Sequence, residues 1–420
     1  MKERIEAAYR SAREHYADQG VDTDVALKAL AEISISLPCW QGDDIGGFEH
    51  PGGAPGGGLA ATGNYPFKAR NATELRQDLE QALLLIPGRH RVNLHAMYGE
   101  FGDKPVDRNE IGPAHFAGWL DWAKAKNLKL DFNATLFAHS RAATGFTLSS
   151  PDESTRRFWT EHVKLCRPIA VVIGQAQKDP CLHNLWLPDG TKDSCADRHG
   201  YRARLRQSLD DIYHATRHSR YVRDSLEPKL FGIGSESFVV GSFEFYLGYA
   251  QAHRLMLCLD TGHFHPTESV ADKLSSLLLF TNEISLHVSR GVRWDSDHVP
   301  VLDDSLRELC LEIVRCEALN RVHIALDFFD ASINRVAAWV IGARAVLQAL
   351  LLALLEPRAK LLEYEGTGNY TARLALLEYV KTLPWGTIWD YYCLQIGVPA
   401  GLDWLNDVRR YEQQVLSTRV

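Results

Sequence analysis

Eight short runs rich in apolar and β-branched residues recur along the 420-residue chain, with helical patterns between them. They are "ISISLPCW" (33–40), "RVNLHA" (91–96), "LKLDFNA" (128–134), "HNLWLP" (183–188), "KLFGIGSE" (229–236), "LMLCLDTG" (255–262), "ISLHVS" (284–289) and "VHIALDFF" (322–329). Near-continuous apolar strands alternating with helices indicate a parallel sheet covered on both faces. Eight such units suggest an α/β fold of the (β/α)8 TIM-barrel type, with a doubly wound sheet as the alternative. Beyond residue 356 the chain is helical and charged. The expected organisation is therefore a barrel with an N-terminal helix over 1–356. A helical C-terminal extension over 357–420 would pack on the barrel or on a neighbouring subunit.

Apolar residues make up 45 % and charged residues 24 %, the balance of a soluble globular protein. A net charge of −7 argues against a nucleic-acid partner and against a polybasic membrane contact. The eight cysteines are spread singly with no C-x-x-C, which reads as free thiols in a reducing, cytoplasmic setting. The N-terminal helix pattern has no apolar signal-peptide core. The run 337–357 is apolar enough to suggest a membrane span, but Arg344 and Gln348 interrupt it on one face, so a buried helix is expected. The glycine-rich stretch 51–66 lacks the G-K-[ST] of a phosphate loop and reads as a loop or lid.

Barrel active sites sit where βα loops leave the C-terminal ends of strands. At those ends the chain places His95, Asp260 with His263, then His287 followed by Asp295 and Asp297, and finally Asp327, while the fifth region begins with Glu227 and Lys229. Each alone has an ordinary structural explanation, such as a core histidine or a helix cap. Together they form a candidate metal set. Carboxylates with imidazoles suit Mn²⁺, Co²⁺ or Zn²⁺ better than a cysteine-rich structural zinc site. Seven ligands exceed what one octahedral ion needs, so two ions are expected. His265 and Asp330 read as supporting residues and His298 as a loop residue.

The segments "CLDTGHFHPTE", "LHVSRGVRWDSDHV", "LDFFDASINRVAAWVIG", "CWQGDD", "ATGNYPFKARNA" and "LFGIGSES" closely resemble the L-rhamnose isomerase family. The resemblance spans essentially the whole chain and is weaker between about 160 and 225 and over the last sixty residues. A more distant likeness, through Glu-x-Lys and Asp-x-x-His, is to xylose isomerase. The resemblance implies a cytoplasmic homotetramer of (β/α)8 barrels that uses manganese, with Co²⁺, Zn²⁺ or Mg²⁺ as possible substitutes. It implies interconversion of L-rhamnose and L-rhamnulose. His263, Asp295 and Asp297 would hold a catalytic ion, and Glu227, Asp260, His287 and Asp327 a structural one. Lys229 would sit at the reacting end of the sugar, and Trp40, His95 and Trp186 would line the pocket.

Two routes fit such a reaction. One is a metal-assisted hydride shift from C2 to C1. The other is an enediol route in which a carboxylate such as Asp327, or a bound hydroxide, abstracts the C2 proton. The hydride shift fits a mobile catalytic ion better. An isomerase for another aldose is the nearest alternative, because one pocket contact shifts sugar selectivity by only ~1–3 kcal/mol. A barrel metallo-hydrolase is the more remote one.

Overall fold

The apolar runs do form strands, and they close on themselves. In the computed structural model, which describes residues 2–42, 46–49, 61–102, 106–214 and 219–419, eight parallel strands make one barrel. They are β1 (Ile35–Pro38), β2 (Arg91–His95), β3 (Lys129–Asn133), β4 (Cys181–Leu185), β5 (Val222–Leu226), β6 (Met256–Asp260), β7 (Ile284–Val288) and β8 (Val322–Leu326). Each pairs with its sequence neighbours, and β1 closes the ring against β8, with Ile35 opposite Ile324. A helix follows every strand, from Ala72–Leu83 after β1 to Arg335–Leu354 after β8. Nearly every strand residue is buried, because helices cover the outside and side chains fill the inside.

Seven of the expected runs overlap a barrel strand. The fifth does not: the strand is Val222–Leu226, not 229–236. Arg223 and Asp224 give that strand the look of a turn. Their charges are instead neutralised, by Glu283 at 3.2 Å and by Arg167 at 2.8 Å. The 229–236 run is apolar, but it is broken by Gly232 and by Gly234 at φ 83°, and it forms the loop above β5. This shift moves Glu227 from the start of a strand to the end of one, at the C-terminal mouth of the barrel.

The apolar helix Arg335–Leu354 is the one described helix long and apolar enough to cross a membrane, and 83 % of that window is buried within the protein. Arg344 is held inside by the Leu85 carbonyl at 2.9 Å and the Pro399 carbonyl at 2.7 Å. The C-terminal helices fold back on their own barrel. Tyr391 stacks on Tyr9 of the N-terminal helix with ring centroids 3.7 Å apart. Arg419 makes a two-point ion pair with buried Asp78, both bonds at 2.7 Å. Of the glycine-rich stretch, residues 51–60 lie outside the described residues, while Thr62–Gly63 pairs with Asp330–Ala331 above the barrel.

Candidate metal centre

The barrel's C-terminal mouth gathers the acidic and imidazole residues. Glu227 directly follows β5, Asp260 ends β6, His287 lies in β7 and Asp327 directly follows β8. One ligand atom from each of these four lies within 4.8 Å of the other three. A second group, by the same measure, joins Asp260, His263 and Asp295. Asp260 therefore serves both groups. Asp297 falls outside either compact group, but it lines the same cavity as Glu227, Lys229, His263 and Asp327. Its backbone is left-handed, at φ 49°.

Short loops and hydrogen bonds fix these side chains. His263 Nδ1 donates to the Pro228 carbonyl at 3.0 Å, which leaves Nε2 facing Asp295 Oδ2 at 3.4 Å. His287 Nδ1 lies 2.9 Å from Asp327 Oδ2 and 3.3 Å from Glu227 Oε2. Asp260 Oδ1 accepts from Gly262 N at 2.6 Å and from Ser289 Oγ at 3.0 Å. Asn184 Nδ2 donates to Glu227, and Ser225 Oγ holds Asn184 Oδ1 at 2.8 Å. The sequence offered no sign of Asn184, Ser225 or Ser289. They are ordinary polar residues whose role exists only once the strands are adjacent.

Five carboxylates crowd one buried mouth, and their proton affinities show the strain. Burial, with Glu227, Asp327 and Asp295 nearby, pushes the Asp260 carboxyl up to about 7 against the pull of His263. Burial and the Asp295 charge hold Asp297 well above the usual range. Burial would also raise Glu227, but His287 and His263 outweigh it and hold that group well below its usual value. Like charges this close cannot all stay ionised without cations among them.

Lys229 is the one ammonium of the cavity. Its Nζ lies 2.6 Å from Asp295 Oδ2 and 5.0 Å from the centre of the Trp186 ring. Lys229 and His263 thus both face Asp295 Oδ2, while the buried Asp295 Oδ1 lacks a hydrogen-bond partner. An unpartnered Asp295 Oδ1, an imidazole Nε2 turned toward a carboxylate and compact O/N donor sets fit divalent cations.

Around this set stand His95, Phe137, Trp186 and Phe329. Burial lowers His95 to about 3, so the ring is neutral, with Nδ1 3.1 Å from Thr135 Oγ1. Trp40 is buried behind this wall. It meets His95 edge-on at 4.9 Å, stacks on Phe329 at 5.5 Å, and donates from Nε1 to the Phe328 carbonyl. Asp330 accepts from Val299 N and Ser332 N, and His298 meets Ser296 at 2.9 Å. His265 is exposed and bonds Thr267.

Fold and site together define a (β/α)8-barrel protein with buried carboxylate–imidazole clusters able to hold metal at its C-terminal mouth. The L-rhamnose isomerase family profile matches residues 3–419. The L-rhamnose isomerase of Rhodopirellula baltica is 56 % identical over 415 residues, covering 99 % of this chain and 97 % of that one. The L-rhamnose isomerase of Escherichia coli K12 is 52 % identical over 419 residues, covering 100 % of both. The chain belongs to the L-rhamnose isomerase family. Among solved structures, D-psicose 3-epimerase from Clostridium cellulolyticum aligns with a TM-score of 0.45 and 13 % identity, over 70 % of this chain and 95 % of that one.

Proposed function

We infer that this chain is an aldose–ketose isomerase interconverting L-rhamnose and L-rhamnulose with divalent cations at the barrel mouth. The observation that carries the reading is the pair of overlapping ligand groups at Asp260, in a chain matched end to end by L-rhamnose isomerases. Glu227, Asp260, His287 and Asp327 would hold one ion. His263, Asp295 and Asp297 would hold the other, with Asp260 beside them. With the imidazoles neutral, five carboxylates and one ammonium leave four net negative charges, the charge of two divalent ions. Manganese is the favoured resident because hard oxygens dominate both sets while imidazole suits a transition metal, with Co²⁺ or Mg²⁺ as substitutes. Such ions supply Lewis acidity toward sugar oxygens.

The chain's own groups do the rest. Burial disfavours the Lys229 ammonium, but Asp295 and Asp297 overcome that and keep it protonated. It can therefore donate a hydrogen bond to the oxygen that gains charge at the reacting end. Trp186, Phe137 and Phe329 offer apolar faces to sugar C–H edges and the C6 methyl, and they exclude water. The buried Trp186 Nε1 and neutral His95 remain to orient hydroxyls.

Net isomerisation moves a hydrogen from C2 to C1 and a proton from O2 to O1. The cavity carboxylates Glu227, Asp297 and Asp327 are all assigned to metals, and Lys229 stays charged. No described cavity carboxylate is left as a base for C2, which supports direct transfer of hydrogen with its electron pair. Reaction in deuterated water tests this. Product without deuterium at C1 fits a direct shift, whereas full exchange requires an enediol route.

We also take the enzyme to be a cytoplasmic homotetramer with one barrel unit over 1–356 and a helical extension over 357–420. All eight thiols are free, in keeping with a reducing compartment. The test of function is removal of metal by chelator, then Mn²⁺ add-back with L-rhamnose, L-mannose, L-lyxose and D-xylose as substrates. Restored activity strongest on L-rhamnose supports the reading. Preference for another sugar changes the substrate, and no isomerisation with any metal overturns it.

A further inference from the structure

Cys258 lies under the metal centre and has no part in the reaction described above. It is in β6, two residues before Asp260, so both side chains point to the same face. Its sulfur is roughly 6–7 Å further down the strand direction than the Asp260 position. Ligand atoms of Glu227, Cys258 and His287 all lie within 4.8 Å of one another, and all three residues are buried. Of these residues, His287 Nδ1 and Glu227 Oε2 are 3.3 Å apart. That is about the edge of a tetrahedron with metal–ligand bonds of about 2.0–2.1 Å, the zinc values for imidazole and carboxylate.

We propose that Glu227, Cys258 and His287 form an alternative metal site for thiophilic divalent cations, of the Zn²⁺ or Cd²⁺ type. The proposal rests on the metal-centre reading above and adds a site below it. Soft sulfur favours such ions, whereas the carboxylate-rich set above favours harder ones. Binding transfers the Cys258 thiol proton to water and leaves thiolate, carboxylate and neutral imidazole on the ion. The two negative ligands then neutralise one divalent charge.

The two sites share Glu227 and His287, so they exclude each other. A thiophilic ion in the lower site takes two of the four ligands from the upper one. It therefore displaces the upper ion and inhibits turnover. On this view Cys258 sets the enzyme's tolerance of metals: it makes the barrel a trap for zinc and cadmium.

The experiment is titration of the metal-free full chain with Cd²⁺, followed by the ultraviolet thiolate-to-cadmium charge-transfer absorption. The same titration is made on Cys258→Ser. The expected result is a band that saturates in the wild type, fades as Mn²⁺ is added in excess, and is missing in the variant. Cadmium affinity should fall in the variant by roughly tenfold or more, since losing a direct ligand costs at least what losing an outer partner does. A wild-type protein with no band, a band indifferent to Mn²⁺, or one that persists in Cys258→Ser overturns the proposal. The first two outcomes need no variant. The functional reading fails separately, if Mn²⁺ neither binds nor supports isomerisation.

Discussion

Lys229 Nζ lies 2.6 Å from Asp295 Oδ2, and both side chains are buried. Lys229 is thus the cation that a five-carboxylate mouth keeps when no metal is present. On the proposed function, bound metal would free the same ammonium to face the substrate. Lys229→Met should keep the barrel folded and cut kcat by about 10²–10³-fold, the usual cost of losing one preorganised donor to a developing charge. KM for the sugar should change far less. Steady-state kinetics at saturating Mn²⁺ check this, and a variant with near-normal kcat would remove Lys229 from the reaction.

Removing the ions should destabilise the fold. The carboxylates repel one another, and burial with that repulsion already raises Asp260 to about 7. Because its folded value is above the ordinary 3.8, Asp260 costs stability as pH rises from about 4 to about 7 in the metal-free protein. Melting of chelated protein should therefore show a Tm gain on adding Mn²⁺ that grows over that window. A gain independent of pH would contradict this charge account.

Arg108 ties the pocket wall to the loop after β1. Its guanidinium donates to the Thr135 carbonyl at 2.8 Å and to the Phe137 carbonyl, and it meets Glu49 at 2.9 Å with both side chains buried. Arg108→Met would leave Glu49 buried without its cation and release the loop that carries Phe137. A stability loss of about 3–5 kcal/mol is expected, with a raised KM. Arg108→Lys should rescue little, because an ammonium cannot reproduce the planar fork. Denaturant melts and KM measurements on both variants decide it.

His90 gives a prediction on acid stability away from the metal. Its Nδ1 accepts from Ile35 N on β1, and burial lowers its pKa to about 4. The unfolded chain protonates this group near 6.5 and the folded one only near 4. Stability tied to His90 is therefore full above about 6.5 and is lost as pH falls to about 4, by up to about 3 kcal/mol. Between pH 7 and 5, Mn²⁺-loaded His90→Gln should lose less Tm than the wild type. Equal losses would show that His90 is not the proton acceptor.

Much of this architecture was legible because strand ends carry both the fold signal and the chemistry. His287 and Asp327 could be placed at the mouth from the apolar runs that precede them. The fifth strand was not legible, since Arg223 and Asp224 are paired with Glu283 and Arg167 from distant segments, which no local pattern records. The same holds for Arg108 with Glu49 and for Asn184 under Glu227. Asp260 offered its type and position, yet its place in two ligand groups depends on β6 standing between β5 and β7.

Gly262, in the Asp-Thr-Gly-His turn after β6, is the last point at which a small change should separate chemistry from folding. A Cβ on it would sit 2.5 Å from Asp295 Oδ1 and 2.7 Å from Ser289 Oγ. Both are side-chain atoms of the metal centre, and neither can keep its place beside a methyl group. Ser289 would lose its hold on Asp260, and Asp295 would be pushed away from His263. The turn needs no left-handed backbone at this position, so the cost should fall on the site rather than the fold. Without metal, Gly262→Ala should lose only about 1 kcal/mol of stability, the central value for a single substitution. It should bind Mn²⁺ more weakly by roughly 10–100-fold, as when ligand support is lost, and lose turnover in step. Calorimetric titration of Mn²⁺ into the metal-free variant, beside its melt, checks both halves. Wild-type affinity would mean that Asp295 and Ser289 move without consequence, and that the ligand set is held by other contacts.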